Sequence, residues 1–196
     1  MTALIQYASL RPAPWKNGGG STTEIALEPK GAGADLFDWR VSLATIAQSG
    51  PFSVFPGIDR TLALVAGDGV LLDFGGERFV LGAADPIIEF PGEAQVHATV
   101  TDGVTTDFNV MTRRGRCRHR LEARMVRGVD ELRRRSATTL VFLADGESLT
   151  VSSASERIAL VRYDAVVLES EDVWTLEAAM ATVFVVDIIN LPAERE

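Results

Sequence analysis

The stretch Thr61-Leu62-Ala63-Leu64-Val65-Ala66-Gly67-Asp68-Gly69-Val70-Leu71-Leu72-Asp73-Phe74-Gly75-Gly76 decides the fold of this chain. Two short apolar runs are separated by Ala-Gly-Asp-Gly, and a Gly-Gly pair closes the second run. Because glycine accepts the positive φ that tight turns need, this pattern predicts a β-hairpin. The runs are too short for typical helices, which favours strands.

The same pattern continues along the chain. Short runs with turn residues between them follow at Glu77–Leu81, Pro86–Phe90, Gln95–Val100 and Asp107–Met111. A spacing of about 8–12 residues per strand is typical of all-β sandwiches and barrels. Helical pattern is scarce, and we predict only one or two helical turns, at Val129–Arg134.

The second half of the chain repeats the order of the first at low identity. The matching pairs are Leu140–Glu147 with Leu62–Gly69, Val166–Glu169 with Ile87–Phe90, and Thr182–Asp187 with Thr106–Val110. We therefore predict two copies of one β unit, at residues 1–120 and 121–196. The first copy carries the polar motifs and the second is mainly structural. The sequence leaves open whether the N-terminal strand crosses over to join the second copy.

Composition narrows the class of protein. The hydrophobic fraction of 46% is enough for a core, no apolar run is long enough to span a membrane, and we read no signal peptide. The single cysteine, Cys117, rules out an internal disulfide and suits a reducing compartment. We expect a cytoplasmic protein with no membrane partner, and a homodimer is an open alternative to a monomer.

The charge is uneven along the chain. The net charge is −8, yet residues 113–135 hold ten of the 19 Lys and Arg residues and only three acids. A nucleic-acid patch is one interpretation of this basic segment. We favour a second interpretation, in which the segment is a solvated strand and linker whose positive charge balances the acidic remainder of the chain. We therefore expect no nucleic-acid partner.

Three segments could carry chemistry. Pro14–Thr22 contains three consecutive glycines, which permit close approach of the backbone to a ligand or to another chain segment. In Trp39–Ala44, alternation places Arg40, Ser42 and Ala44 on one face. In Asp107–Arg114 the same rule places Asp107 and Asn109 together. Each segment also has a purely structural interpretation. Pro14–Thr22 would be a tight turn, Arg40 would point outward into solvent, and the polar face of Asp107–Arg114 would be a solvent-facing edge.

Metal chemistry finds little support in the sequence. The histidines are His97 and His119, and neither lies in a His-x-His or His-Glu-x-x-His context. No nucleophile elbow, dinucleotide-binding glycine motif or Cys-x-x-Cys is present. We expect no metal and no cofactor.

At these segments the sequence resembles the HutD/Ves family of cupin-like proteins. The resemblance rests on these stretches and covers nearly the whole chain: Pro14–Gly20, Phe37–Ala44, Ser49–Ser53, Phe55–Arg60 and Asp107–Arg114. It implies an all-β bicupin, with two cupin-type barrels in one chain and without the usual metal histidines. It also implies a link to histidine utilisation, with a formylglutamate-like ligand and a regulatory role, or a link to stress responses.

The leading hypothesis is a metal-free protein that binds a small carboxylate metabolite. The candidate ligand-binding residues are Trp15, Lys16, Asn17, Arg40, Ser42, Arg60, Asp107 and Asn109. Arg40 would hold the carboxylate, Asp107 and Asn109 would orient the polar end, and Trp15, Lys16 and Asn17 would close the mouth. The first alternative is a metal-free isomerase or lyase, with Asp107 as base and Lys16 or Arg60 stabilising negative charge. The second is a purely structural or interaction protein, whose polar faces point to solvent.

Overall fold

A computed structural model describes residues 2–33, 36–168 and 171–192, and nearly all regular structure among them is β. A 3-10 helix spans Tyr7–Ser9. The strands in chain order are β1 (Ala3–Ile5), β2 (Pro12–Pro14), β3 (Gly20–Glu28), β4 (Trp39–Ile46), β5 (Gly50–Pro51), β6 (Ile58–Ala66), β7 (Val70–Asp73), β8 (Arg78–Leu81), β9 (Ile87–Pro91), β10 (His97–Val100), β11 (Thr105–Arg113), β12 (Cys117–Arg133), β13 (Thr138–Gly146), β14 (Ser148–Ser152), β15 (Arg157–Val161), β16 (Ala165–Leu168) and β17 (Val173–Asn190).

The first compact unit contains Arg11–Cys117. Its larger sheet has the order β2-β3-β4-β11-β6-β9, and its smaller sheet has the order β5-β10-β7-β8. The hairpin predicted across Gly75-Gly76 is present as β7 and β8. The hairpin predicted across Ala66–Gly69 is wrong, because β6 and β7 lie in different sheets. Every pairing in the two sheets is antiparallel. Apolar side chains of both sheets pack together in this unit: Leu62, Val70, Leu72, Leu81, Phe90, Val96 and Ala98.

The second compact unit combines residues 2–10 with Arg118–Leu191. One sheet runs in the order β1-β16-β13-β17-β14-β15, and β12 also pairs with β17. Side chains with little or no exposure fill its core, among them Trp174, Leu176, Val183, Leu149 and Leu160. Such close packing is typical of protein interiors.

The pairing scheme of the first unit recurs in the second. In the first, β6 pairs with β9 and β11, and β7 pairs with β8 and β10. In the second, β13 pairs with β16 and β17, and β14 pairs with β15 and β17. The single 18-residue strand β17 therefore corresponds to both β10 and β11 of the first unit. A register shift occurs in both units, at Thr106/Asp107 and at Leu143/Asp145. The fold is an all-β bicupin, as the sequence predicts.

The prediction of helical turns at Val129–Arg134 is wrong, because residues Val129–Arg133 are the end of strand β12. Pairing with β17 supplies the backbone hydrogen bonds that a helix would otherwise provide. Leu132, together with Val126 of the same strand, is buried in the core of the second unit. Tertiary packing therefore overrides a weak local preference.

Candidate functional site

The first barrel contains a cavity of about 540 Å³. This volume falls within the range of pockets that hold small organic ligands. Its walls come from β4, β6 and β11, from the segment before β3 and from the loop between β5 and β6. The lining residues are Ala13, Pro14, Trp15, Lys16, Asn17, Ala44, Ile46, Pro51, Phe52, Ser53, Phe55, Arg60, Leu62, Asp107, Asn109 and Met111.

Strand pairing places the polar side chains on the inner face of the larger sheet. Across the β11–β6 ladder, Met111 lies opposite Arg60 and Asn109 lies opposite Leu62. Directly paired residues share a face, and alternate residues along a strand share it too. Asp107, Asn109 and Arg60 therefore line the same cavity, and the predicted common face of Asp107 and Asn109 is present.

Arg60 is the buried cation of the cavity, with 7% of its surface exposed. Its Nη1 donates to the carbonyl oxygen of Ser53 at 3.4 Å, whereas its Nε has no hydrogen-bond partner. The guanidinium carbon lies 5.1 Å from the ring centre of Phe90, 5.4 Å from that of Phe52 and 5.6 Å from that of Phe55. These rings hold the guanidinium by cation–π attraction.

Burial is the main influence on the charge of Arg60. Burial and the positive charge of Arg40 together lower the pKa of Arg60 to about 10, with the negative charge of Asp107 as a partial offset. Arg60 is therefore a cation at neutral pH. A buried guanidinium with an unpartnered N–H is a strong receptor for an anionic oxygen.

Asp107 and Asn109 supply unpartnered acceptors to the same cavity. Asp107 is fully buried, and neither of its carboxylate oxygens has a hydrogen-bond partner. The Oδ1 atom of Asn109, a residue with 5% exposure, also lacks a partner. Burial raises the pKa of Asp107 to about 7, against a lowering by the charge of Arg60. Buried polar atoms without partners are rare, so each of these atoms calls for an explanation.

The structure places Arg40 and Ser42 outside the cavity lining. The Nε of Arg40 donates to Glu24 Oε2 at 3.1 Å, so this arginine has a carboxylate partner within the chain. Ser42 is buried beside it in β4 and lies opposite Asn109. The expected convergence of Arg40 with Asp107 and Asn109 is thus corrected, because Glu24 holds Arg40 and Arg60 lies in the cavity instead.

Trp15, Lys16 and Asn17 lie at the cavity, in the turn that joins β2 to β3. Trp15 Nε1 donates to Thr22 Oγ1 at 2.8 Å, and Asn17 Oδ1 accepts from the Gly19 amide at 3.0 Å. A Cβ on Gly20 would lie 2.2 Å from the carbonyl oxygen of Thr45, so this glycine permits the close approach of two strands. Within the glycine run, Gly20 thus serves contact with another chain segment.

The basic segment is rich in ion pairs. Arg116 contacts Asp38 at 3.1 Å, Arg124 contacts Glu122 at 2.8 Å, and Arg133 contacts Glu131 at 2.8 Å. Arg114 pairs with both Asp59 and Glu93. Much of the local positive charge is therefore balanced by nearby carboxylates.

A sequence model described as HutD matches residues 7–185 of the chain. The chain belongs to the HutD family. A relative in Pseudomonas putida, named an uncharacterized 21.2 kDa protein in the hutC 3′ region, is 36% identical over 169 residues, which cover 86% of this chain and 87% of the relative. Protein Ves of Cronobacter sakazakii is 44% identical over 106 residues, or 53% of this chain and 56% of that protein. The HutD/Ves resemblance of the sequence is confirmed.

Solved structures agree with membership of the HutD family. HutD from Pseudomonas fluorescens SBW25 has a TM-score of 0.82 and 28% identity, covering 97% of this chain and 100% of that chain. Ylba from E. coli has a TM-score of 0.69 at 12% identity, covering 100% of this chain and 93% of that chain. Salicylate 1,2-dioxygenase from Pseudoaminobacter salicylatoxidans has a TM-score of 0.66 at 12% identity, covering 95% of this chain and 80% of that chain. The last two show the fold alone, which is cupin-like.

The cavity of this HutD-family barrel does not suit the transition metal that many cupins hold. Its side chains include a guanidinium, an ammonium at Lys16, one carboxylate and two amides, whereas such metals prefer clustered imidazole, thiolate and carboxylate ligands. Within residues 2–33, 36–168 and 171–192, no three His, Cys, Asp or Glu side chains are grouped to hold a metal ion.

Over the same residues, no helix has the length and apolar character of a membrane span.

Proposed function

We propose that the first barrel binds a small metabolite through its carboxylate, and that the protein is a binding or regulatory protein of the HutD type. The observation that carries this proposal is the set of unpartnered polar atoms on Arg60, Asp107 and Asn109, three residues that line one cavity. Leaving such groups without partners costs about 1–3 kcal/mol each, and a polar ligand removes that cost. The structural alternative has no comparable use for them.

Arg60 receives the carboxylate in this proposal. Its Nη1 is engaged by Ser53, so the free edge of the guanidinium includes the unpartnered Nε. A carboxylate accepts two parallel hydrogen bonds from such an edge. Lys16, which is exposed and lines the cavity, adds positive charge to the path of an approaching anion.

The apolar lining holds the rest of the ligand. Trp15, Phe52, Phe55, Leu62 and Ile46 all contribute to the wall. Apolar surface of this kind favours a ligand with a short carbon chain between its polar ends. The result is a site for a small acid rather than for inorganic anions alone.

The metabolic setting comes from the relatives. The Pseudomonas putida relative is named for its place in the hutC 3′ region, and a solved relative is named HutD. We infer that the ligand is an intermediate of histidine utilisation, resembling formylglutamate, and that its binding regulates the pathway. Protein Ves is also a relative, and the resemblance to the Ves branch implies a link to stress responses as the other setting.

One observation favours catalysis as the second candidate function. A general base works best when its pKa lies near the operating pH, and burial raises the pKa of Asp107 to about 7. Asp107 could then accept a proton from a substrate carbon while Arg60 or Lys16 stabilises the negative charge. An isomerase or lyase that acts on a small acid would use this arrangement.

A thermal-shift screen tests the proposal. We expect small organic acids of amino-acid pathways to raise the melting temperature in a dose-dependent manner, because they bind only the folded state. Neutral amides of the same acids are the matched controls and should give little or no shift. A screen in which amides and acids perform alike would contradict carboxylate recognition. Mass spectrometry of each binder after incubation then separates binding from turnover.

A further inference from the structure

Asp107 is the one acid among the described residues that line the cavity. It is fully buried, and no hydrogen-bond donor reaches either of its carboxylate oxygens. Its partners across the sheet, Ala44 on β4 and Leu64 on β6, are uncharged. A buried anion without hydrogen bonds is costly, so the ionised form of Asp107 depends on a positive charge elsewhere in the cavity.

Arg60 supplies that charge. Burial raises the pKa of Asp107, and the positive charge of Arg60 opposes the rise and holds the value at about 7. Lys16 is the other cation of the lining, but it is exposed, and solvent screens its charge. Arg40 on β4 is paired with Glu24 on β3, which balances its charge. The other described residues of the lining carry no charge.

A ligand carboxylate bound to Arg60 would share this buried cation with Asp107. When two carboxylates occupy one site, their repulsion favours the uptake of a proton by one of them. The ligand's carboxylate stays ionised, because it accepts hydrogen bonds from the guanidinium. Asp107 has no such bonds, so it is the group that takes the proton.

We propose that the cavity binds its acid together with a proton, which Asp107 takes up as the ligand's carboxylate engages Arg60. This inference rests on the proposed function and adds the regulation of the same site by pH. It holds for acids with one carboxylate and for those with two, because a second carboxylate on the ligand adds negative charge and strengthens the uptake.

The pH range of the effect follows from the two states of Asp107. In the free protein its pKa is about 7, and the bound carboxylate raises it further. Well below pH 7 Asp107 is protonated in both states, and binding takes up no proton. Between the two pKa values the complex holds a proton that the free protein lacks. The affinity therefore falls as the pH rises through this range, by at most about tenfold per pH unit.

Proton uptake also separates the two candidate functions. A general base must be ionised while its substrate is bound. In this proposal Asp107 is protonated in the complex and has an O–H donor in place of a charge. Uptake of a proton on binding therefore favours the binding protein over the isomerase or lyase.

Calorimetry in buffers of different ionisation enthalpy counts the protons. The probes are formylglutamate, with two carboxylates, and pentanoate, with one, titrated at pH 7.5 into the full chain in PIPES, HEPES and Tris. We expect an uptake of about 0.5 proton or more per ligand bound. Asp107→Asn cannot take the proton, so its uptake should be about 0.1 or less. Glu89→Gln, with its exposed side chain on β9, is the matched control and should take up as many protons as the parent.

The pH dependence of Kd is the second measurement. From pH 6 to pH 8 we expect the Kd of the parent to rise about fivefold or more, and that of Asp107→Asn to change less than about twofold. Acids that bind the parent without net proton uptake at pH 7.5 would overturn this inference and leave the proposed function standing. Uptake that persists in Asp107→Asn would overturn it as well. If neither acid binds, the proposed function fails together with this inference.

Discussion

Arg60→Ala is expected to weaken the binding of a small acid by about 2–5 kcal/mol, which corresponds to about 30-fold to several thousandfold in Kd. The loss is large because Arg60 lines the cavity, is buried and has an Nε–H group without a partner. Arg60→Lys should recover only part of the affinity, since an ammonium cannot make the planar two-bond contact. Calorimetry with the best acid from the screen measures both variants.

Arg40→Ala is the matched control for that experiment. Arg40 lies on the neighbouring strand, but Glu24 already holds its guanidinium outside the cavity lining. Its removal should change the affinity by less than about threefold, because it acts on the ligand only at a distance. Tight binding by a folded Arg60→Ala, together with loss of binding by Arg40→Ala, would reverse the assignment of the two arginines.

Asp107→Asn is expected to stabilise the protein increasingly as the pH rises. Asp107 has a folded-state pKa of about 7, raised by burial above its ordinary value. The folded state therefore holds a proton that the unfolded state has lost between those two pKa values, and stability falls as the pH rises through this window. The advantage of Asn over Asp should grow by about 2 to 3 kcal/mol between pH 5 and pH 8.

Urea unfolding at pH 5, 6, 7 and 8 measures this effect. The difference between variant and parent is the quantity of interest, because acids with lowered pKa values, such as Asp73 and Glu93, change the stability of both proteins in the same way. Glu89→Gln is the control, since Glu89 is exposed on β9 of the same sheet. A difference between Asp107→Asn and the parent that stays constant from pH 5 to pH 8 would show that Asp107 titrates in its ordinary range.

The fold follows from the sequence because glycine turns and short apolar runs are local signals. Ala66-Gly67-Asp68-Gly69 separates β6 from β7, where positive φ values at Gly67 and Gly69 are required. Val129–Arg134 shows the limit of such reasoning. Its strand conformation depends on pairing with β17, which lies some forty residues further along the chain and cannot be read from local pattern.

The site was only partly predictable for a similar reason. Alternation correctly groups Asp107 with Asn109, since this depends on one strand alone. The same rule cannot tell which of Arg40 and Arg60 lines the cavity, because both are paired with Met111. Arg40 lies opposite it on β4 and Arg60 lies opposite it on β6. What distinguishes them is Glu24, which reaches Arg40 from β3, and the rings of Phe52 and Phe55, which surround Arg60 from a loop. Those contacts depend on tertiary placement.

The acid–base character of Asp107 also could not be read from its neighbours in the chain. The sequence shows no obvious base for the catalytic alternative, whereas burial at the cavity raises the pKa of this carboxyl to about 7. Desolvation, rather than a neighbouring charge, is the cause, and it depends on how the barrel closes around the residue.

A crystal structure of the protein with the best acid from the screen tests the central claim most directly. We predict electron density for the acid inside the first barrel, with a carboxylate oxygen about 3 Å from Nε of Arg60 and the opposite end near Asp107 and Asn109. An acid bound elsewhere, with the cavity around Arg60 left without it, would contradict the account.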